Sequence, residues 1–188
     1  MEKVGVHKRD ILVERVENAR DAQADAQVQF KDALEQFGSV VKIETTDLKD
    51  AYETLNSEYE KSDEAAKEVS SRIKKVESVA DDLFAEWKKE LELYKNKALK
   101  DASARKLRDT QTRYKEMLAS MHRAEESMDP VLRTFRDNVL FLKHNLNAQA
   151  IGSLRSEFSG LKVKIDALIK NMNDAITNSN QFIENLNQ

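Results

Sequence analysis

The most regular feature of the chain is a seam of mostly apolar residues spaced alternately three and four positions apart. Between Leu48 and Tyr94 every step along that seam is three or four residues. Residues with this spacing fall on one face of an α-helix, where they can pack against a partner helix. The pattern therefore predicts a long amphipathic helix over about residues 47–96.

Three further segments carry the same heptad pattern, and they predict helices over about residues 8–41, 103–146 and 149–186. Thr45-Thr46-Asp47 supplies capping side chains before the second helix, and Asn145-Leu146-Asn147 reads as the turn before the fourth. Four such helices joined by short turns predict an all-α, elongated antiparallel four-helix coiled-coil bundle with two long central helices. Residues 1–188 would form one domain, and residues 80–115 a thinner tip with at most the end of helix 4 beside it.

Two features of the third predicted helix depart from a simple stripe. Pro130 predicts a kink near Met128 or a break that Asp129 caps again, and the unbroken register of the seam favours the kink. Residues 139–142 are four consecutive apolar residues, an arc wider than one heptad stripe. Burial of this arc by two or more helices is the favoured interpretation, and an exposed apolar docking surface is the alternative.

Composition supports the helical reading and removes several classes of function. With 4 Gly, 1 Pro and 35% charged residues, the chain has too few turn-forming residues for a β-sandwich or barrel. It contains no cysteine, which excludes disulfides and thiolate metal sites within it. The formal net charge of -3 gives no overall attraction to nucleic acid. There is also no run of 18 apolar residues that would predict a membrane-spanning helix.

No constellation of catalytic or metal-binding residues is apparent. A di-iron site in a helical bundle needs Glu three residues before His, whereas Ala119 precedes His122 and Phe141 precedes His144 at that spacing. The glycines are isolated, so neither a nucleophile elbow nor a phosphate-binding loop is present. We therefore predict no enzyme activity, no catalytic or metal-ligating residue, no cofactor and no small-molecule substrate.

One run of basic residues stands out around the turn between helices 2 and 3. These residues are candidates for contact with phosphates, acidic lipid or an acidic protein: Lys95, Lys97, Lys100, Arg105, Lys106 and Arg108. Asp101 and Asp109 interrupt the run, so a solvated turn of mixed charge is the alternative interpretation.

The remaining aromatic and polar seam positions are interpreted as structural. Trp87 and the four tyrosines fall mostly in the seams, which predicts core positions and not base-stacking platforms. Four polar seam residues are expected to fix register, or to lie where the bundle is only partly covered, and not to form a cavity: Gln23, Ser62, Gln111 and Glu125.

Three stretches carry a family resemblance that covers nearly the whole chain: MEKVGVHKRDILVERVENARDAQ, FAEWKKEL and DPVLRTFRDNVLFLKHNLNAQAIGSL. They resemble an uncharacterised proteobacterial family of predicted exported lipoproteins. Its members typically carry a signal peptide and a lipobox cysteine upstream of the segment similar to MEKVGVHKRD. The resemblance therefore implies a periplasmic protein with a lipid anchor upstream of Met1, and it supplies no activity, ligand or catalytic residue.

These observations lead to one leading hypothesis and two others. The leading hypothesis is a non-enzymatic helical scaffold or adaptor of the bacterial envelope, tethered near residue 1, whose coiled-coil rod and tip contact a protein partner. The second is binding to an anionic membrane surface, or to nucleic acid, through the basic run around residues 95–108. The third is self-association of the coiled coil.

Overall fold

The structure, a computed structural model, describes residues 3–42 and 47–188. These residues form four helices and no strand: α1 (Lys3–Lys42), α2 (Leu48–Leu91), α3 (Lys97–His144) and α4 (Ala148–Leu186). The shortest has 39 residues and the longest 48. At 1.5 Å per residue, each helix is roughly 60–70 Å long. The predicted all-α bundle of four helices is confirmed.

Each helix packs against its two neighbours, and α4 closes the ring against α1. Polar contacts between the helices establish their directions. Gln29 on α1 donates to Glu58 on α2 at 2.8 Å, and Lys164 on α4 donates to the Thr134 hydroxyl on α3 at 2.7 Å. Arg155, near the start of α4, donates twice to the backbone carbonyl of Val41 at the end of α1. Neighbouring helices therefore run antiparallel around the whole ring.

The bundle does not thin toward the α2–α3 turn, and the prediction of a thin tip over residues 80–115 was wrong. Lys8 of α1 forms an ion pair with Glu86 of α2. At the other end of the chain, the Phe182 ring on α4 lies 6.2 Å from the Tyr114 ring. The reason is length: the 40 residues of α1 span nearly as far as the 44 of α2, so both outer helices reach this end.

Two of the three turns end within one residue of the predicted helix starts, and a side chain caps the helix that follows each of them. Asp47 accepts hydrogen bonds from the backbone N–H groups of Lys49 and Asp50, at 3.1 and 3.3 Å, and so caps α2. Asn147 accepts one from the N–H of Ala150 at 3.0 Å and caps α4. Of the predicted capping stretch before α2, Thr45 and Thr46 lie outside the described residues.

The third turn is displaced from its predicted position. Helix α2 ends at Leu91, not at residue 96, and α3 begins at Lys97, not at 103. The Asn96 side chain accepts a hydrogen bond from the N–H of Leu99 at 3.2 Å. Asn in an extended conformation is a favoured N-cap, and here it starts α3 six residues earlier than predicted.

Helix α3 runs without a break through Pro130, so the predicted re-capping by Asp129 does not occur. Asp129 instead pairs with Arg133, one turn further along the same helix. Met128 and Val131 are buried on either side of the proline, so the seam keeps its register.

The apolar arc at residues 139–142 is only half buried. Val139 and Leu142 lie in the core, whereas Leu140 and Phe141 are 43% and 42% exposed. Successive residues of a helix point about 100° apart, so four in a row cannot all face one core. The predicted burial of the whole arc was therefore wrong. Its exposed half, Leu140 and Phe141, supports the alternative interpretation of an exposed apolar docking surface.

Candidate functional site

The structure brings the six predicted contact residues to one end of the rod, here called the basic end. It comprises the α2–α3 turn at residues 92–96, the first turns of α3, the start of α1 and the end of α4. Lys100 is half-buried, and the other five predicted residues are exposed. Residues 88–108 contain eight basic and three acidic residues, a net charge of +5.

Two of these lysines have carboxylate partners and others do not. Lys97 pairs with Asp101 at 2.8 Å, and Lys100 pairs with Glu92 at 3.4 Å. The hydrogen bond from Lys97 holds the pKa of Asp101 below its ordinary value of 3.8, and Arg105 and Lys100 add to this effect. Within residues 3–42 and 47–188, no carboxylate lies within 4.0 Å of Arg105, Lys106 or Arg108. Part of the positive charge is therefore uncompensated.

The basic end also exposes three apolar side chains that sequence reasoning missed. Leu93 is 76% exposed, Tyr94 42% and Leu99 57%. The seam pattern placed Tyr94 in the core, but α2 ends three residues before it, so Tyr94 falls in the turn. The available signal was Asn96, whose strong preference for N-cap positions argues that the helix does not continue past it.

Beneath the turn, three helices are fixed to one another around Trp87. The indole N–H donates to the Ser103 hydroxyl at 2.9 Å, which ties the end of α2 to the start of α3. The guanidinium of Arg9 on α1 lies 5.1 Å from the centre of the Trp87 ring, within the range of a cation–π interaction. Trp87 is buried, as predicted. The exposed turn therefore stands on a rigid base.

Tyr114 is the other buried aromatic residue with a polar atom at this end. Its ring packs against Phe84 and Phe182, at centroid distances of 5.3 and 6.2 Å. Burial raises the pKa of the Tyr114 hydroxyl, with smaller contributions from Asp81 and Glu77. Tyr114 therefore stays neutral and serves packing.

Among the concave regions on the sides of the rod, two differ in the chemistry of their linings. A groove of about 780 Å³ lies between α2 and α3 near mid-rod. Its α2 wall carries three lysines and one carboxylate, and its α3 wall carries three carboxylates: Lys67, Lys74, Lys75, Asp63, Glu125, Glu126 and Asp129. A smaller cleft of about 320 Å³ lies between α3 and α4 at the basic end. Its lining combines cations with apolar side chains: Arg105, Lys106, Arg113, Phe182 and Leu186.

The opposite end of the rod, here called the far end, holds the α3–α4 turn at residues 145–147 and the residues flanking the α1–α2 connection. Its exposed apolar side chains are Leu140, Phe141 and Leu146. Lys143 and His144 stand between them. The two ends therefore both expose apolar residues, but only the basic end surrounds them with many lysines.

His122 is the histidine with the most acidic surroundings, yet it forms no metal site. Its Nε2 lies 3.0 Å from Glu77 and its Nδ1 3.0 Å from Glu125. Because the carboxylates contact opposite ring nitrogens, the three side chains do not converge on one point. Across the described ranges 3–42 and 47–188, no group of three or more such residues could hold a metal ion.

The polar seam residues lie within the packed interior or at its margin. Ser62 donates to the backbone carbonyl of Glu58 at 2.8 Å. Gln23 is fully buried, and neither its Nε2 nor its Oε1 is hydrogen-bonded to another described residue. Gln111 and Glu125 are half-buried, as expected where the bundle is partly covered.

Within the part of the chain that the structure describes, no helix combines the length and apolar character needed to cross a membrane. Fold and surface together define a four-helix coiled-coil bundle with two chemically distinct ends. The chain belongs to the family described as "Protein of unknown function (DUF2959)", whose model matches residues 1–186. No curated protein and no solved structure matches the chain. The predicted membership of an uncharacterised family is confirmed, whereas export and lipidation remain predictions.

Proposed function

We propose that the protein is a non-enzymatic helical scaffold or adaptor of the bacterial envelope, which holds a protein partner at one end of a rigid rod. The observation that carries this proposal is the chemical difference between the two ends. Roughly 60–70 Å of continuous helix separates a lysine-rich end from an end whose exposed side chains include Leu140, Phe141 and Leu146.

The position of α1 gives the rod an orientation under this proposal. Because Lys8 pairs with Glu86, α1 starts at the basic end. A lipid tether near residue 1, as the family resemblance implies for a periplasmic lipoprotein, would hold the basic end close to the membrane. The far end, and not the tip with the basic run, would then reach outward toward the partner.

The exposed apolar residues of the far end are suited to a protein contact. Grouped exposed apolar side chains on a soluble surface commonly mark interaction sites. Phe141 is the best anchor among them, since aromatic residues are enriched in the energetically important centres of interfaces. The basic run, predicted to contact phosphates, acidic lipid or an acidic protein, would then lie at the membrane-facing end.

The proposal is tested by crosslinking and pull-down of the full-length protein from native envelopes. We expect a protein that is captured by the wild type and lost from the Phe141→Ser, Leu146→Ser variant. Val163→Ser removes an exposed apolar residue elsewhere on α4 and should leave capture unchanged. Capture that survives the far-end substitutions, or turnover traced to the pure protein, would contradict the proposal. Sedimentation at increasing concentration tests self-association separately.

A second candidate function is binding to an anionic surface through the basic end. It is supported by the net charge of +5 over residues 88–108 and by the absence of carboxylates near Arg105, Lys106 and Arg108 among the described residues. Binding to anionic liposomes or DNA should weaken with added salt and with Lys97→Glu combined with Arg105→Glu. No binding to either at low salt would remove this candidate.

A further inference from the structure

The α2–α3 turn and the first turn of α3 lie at one end of the rod, and residues 93–99 expose three apolar side chains there. Leu93 and Tyr94 belong to the turn itself, and Leu99 to the first turn of α3. The cleft at this end of the rod lies between α3 and α4, beside Arg105, Lys106 and Phe182, and its lining does not include the three apolar residues of the turn. Apolar side chains exposed on a turn at the end of a rod are better suited to entering a soft surface than to being enclosed by a rigid one.

Lysines stand directly beside these apolar residues. Lys88 and Lys89 are exposed at the end of α2, Lys95 lies within the turn, and Lys97 lies between the turn and Leu99. At a membrane interface, such lysines bring their charge to lipid phosphates while their aliphatic stems lie along the apolar region. A tyrosine at the level of the headgroups is also typical of membrane interfaces.

The same residues argue against nucleic acid and against a protein as the surface that this end binds. Single-stranded nucleic acid is bound by stacking on aromatic rings, and the tip offers only Tyr94 beside two aliphatic leucines. Protein interfaces are depleted of lysine at their centres, whereas here Lys95 and Lys97 lie among the apolar residues. An anionic bilayer offers phosphates to the lysines and an apolar region to the leucines.

The rigid base of the turn favours this contact further. Asn96 caps α3, and the Trp87–Ser103 hydrogen bond joins the helices on either side of the turn. The tip is therefore already ordered before it meets a surface, so little conformational entropy is lost on binding.

We propose that the basic end docks on the surface of an anionic lipid bilayer by inserting Leu93, Tyr94 and Leu99 between the headgroups, with the surrounding lysines on lipid phosphates. This inference rests on the second candidate function and narrows it from any anionic surface to a bilayer. Insertion of the three side chains adds an apolar contribution to the free energy of membrane binding, beyond that of the charges. The scaffold role is independent of it.

The test is co-sedimentation of the whole protein with vesicles, either purely zwitterionic or containing roughly a third of an anionic phospholipid. The insertion variant is Leu93→Ser with Leu99→Ser, and the matched control is Leu140→Ser with Val163→Ser, which are also exposed. The wild type and the control should bind anionic vesicles equally. The insertion variant should bind about tenfold or more weakly, since transfer of a leucine side chain out of water contributes a factor of this order.

Insertion itself is measured with an environment-sensitive dye attached to a single introduced cysteine. Because the sequence contains no cysteine, the dye labels that position alone. A dye on Leu99→Cys should shift to shorter emission wavelength with anionic vesicles, whereas a dye on Val163→Cys should not. All these positions are exposed, and unchanged thermal unfolding will confirm that each variant is folded.

The contrary outcomes are distinct. If the insertion variant binds as tightly as the wild type while Lys95→Gln with Lys97→Gln binds weakly, adhesion is purely electrostatic. Insertion is then wrong, and the second candidate function stands. Binding to DNA without binding to vesicles would overturn the choice of lipid. Failure to bind either at low salt would overturn both this inference and the second candidate function.

Discussion

The two ends of the rod are built on the same heptad pattern but differ in what they bury and expose. At the far end the core is an apolar aromatic cluster, in which the Phe37 ring lies 5.8 Å from Phe135 and 6.1 Å from Phe158. At the basic end Phe84 and Phe182 are joined in the core by Trp87 and Tyr114, two buried aromatics that carry polar atoms. The pattern shared by both ends specifies the bundle, so the differences between them are where function is to be sought.

The largest expected effect concerns the far-end core. Phe37→Ala should reduce the free energy of unfolding by about 3–5 kcal/mol, because removal of the fully buried ring would leave a cavity beside the rings of Phe135 and Phe158. At the basic end, Phe84→Ala should cost less, since Phe84 retains some exposure and its site can partly refill with water. Urea unfolding followed by circular dichroism measures both values. An equal or larger loss for Phe84→Ala would contradict this account of the two ends.

Between the ends, the core contains a residue that works against stability. Gln23 is fully buried without a hydrogen-bonding partner among the described residues. Gln23→Met keeps a similar shape and removes the unsatisfied amide, and it should raise the free energy of unfolding by about 1–2 kcal/mol. Thermal and urea unfolding measure this gain.

Gln27, one turn further along α1, provides the matched control for Gln23. Its amide donates to Asn173 at 2.7 Å and to the backbone carbonyl of Ile169 at 3.3 Å. Gln27→Met should therefore give no gain, or a loss of up to about 1 kcal/mol. A loss of stability in Gln23→Met would show that its amide is satisfied in solution.

The helices could be predicted from sequence because heptad spacing is a property of long segments. The same property explains why the α2–α3 turn was misplaced. Tyr94 continues the three-and-four spacing beyond Leu91, so periodicity alone gives no sign that α2 ends there. Local hydrogen bonds mark the boundary instead: the N–H groups of Glu92 and Leu93 donate to carbonyls three residues earlier, at 3.2 and 3.0 Å, and the N–H of Leu99 donates to the Asn96 side chain. Local capping therefore overrides periodicity at this turn.

The candidate site was predictable only in part. The basic run is visible in the sequence, and all six of its residues lie at one end. The exposed apolar residues were not predicted, because Tyr94 belongs to the seam of the second predicted helix and Leu99 falls between the second and third predicted helices. The orientation of the rod also needed the structure, since it depends on contacts such as Lys8 with Glu86, nearly eighty residues apart in the chain.

A smaller effect is expected from the hydrogen bond that ties α2 to α3 at the basic end. Ser103→Ala removes the acceptor of the buried Trp87 indole N–H and should cost about 1–2 kcal/mol of unfolding free energy. Ser153→Ala on α4 is the control, since that exposed serine bonds only to a carbonyl of its own helix. If Ser103→Ala is as harmless as the control, the rigid base of the tip rests on packing alone.

The smallest expected effect is the pH dependence of the Lys97–Asp101 pair. Because the folded-state pKa of Asp101 is lowered below 3.8, the pair stabilises the folded state above that pH, and this contribution is lost as pH falls through the lowered pKa. Carbon NMR of the Asp101 carboxyl should show the pKa returning toward 3.8 in Lys97→Gln. The Lys97 side chain is largely exposed and that of Asp101 about half exposed, so solvent screening keeps the contribution of the pair to stability small.

Protonation of Asp101 also changes the difference in charge between the two ends. Protonation of Asp101 leaves Lys97 without its partner and makes the basic end more positive, whereas Leu140, Phe141 and Leu146 at the far end do not titrate. Asp101→Asn at neutral pH should reproduce this change and strengthen binding to anionic vesicles slightly. A pKa of 3.8 or above for Asp101 in the wild type would show that Lys97 is not held by it, and is already free to meet an anionic surface.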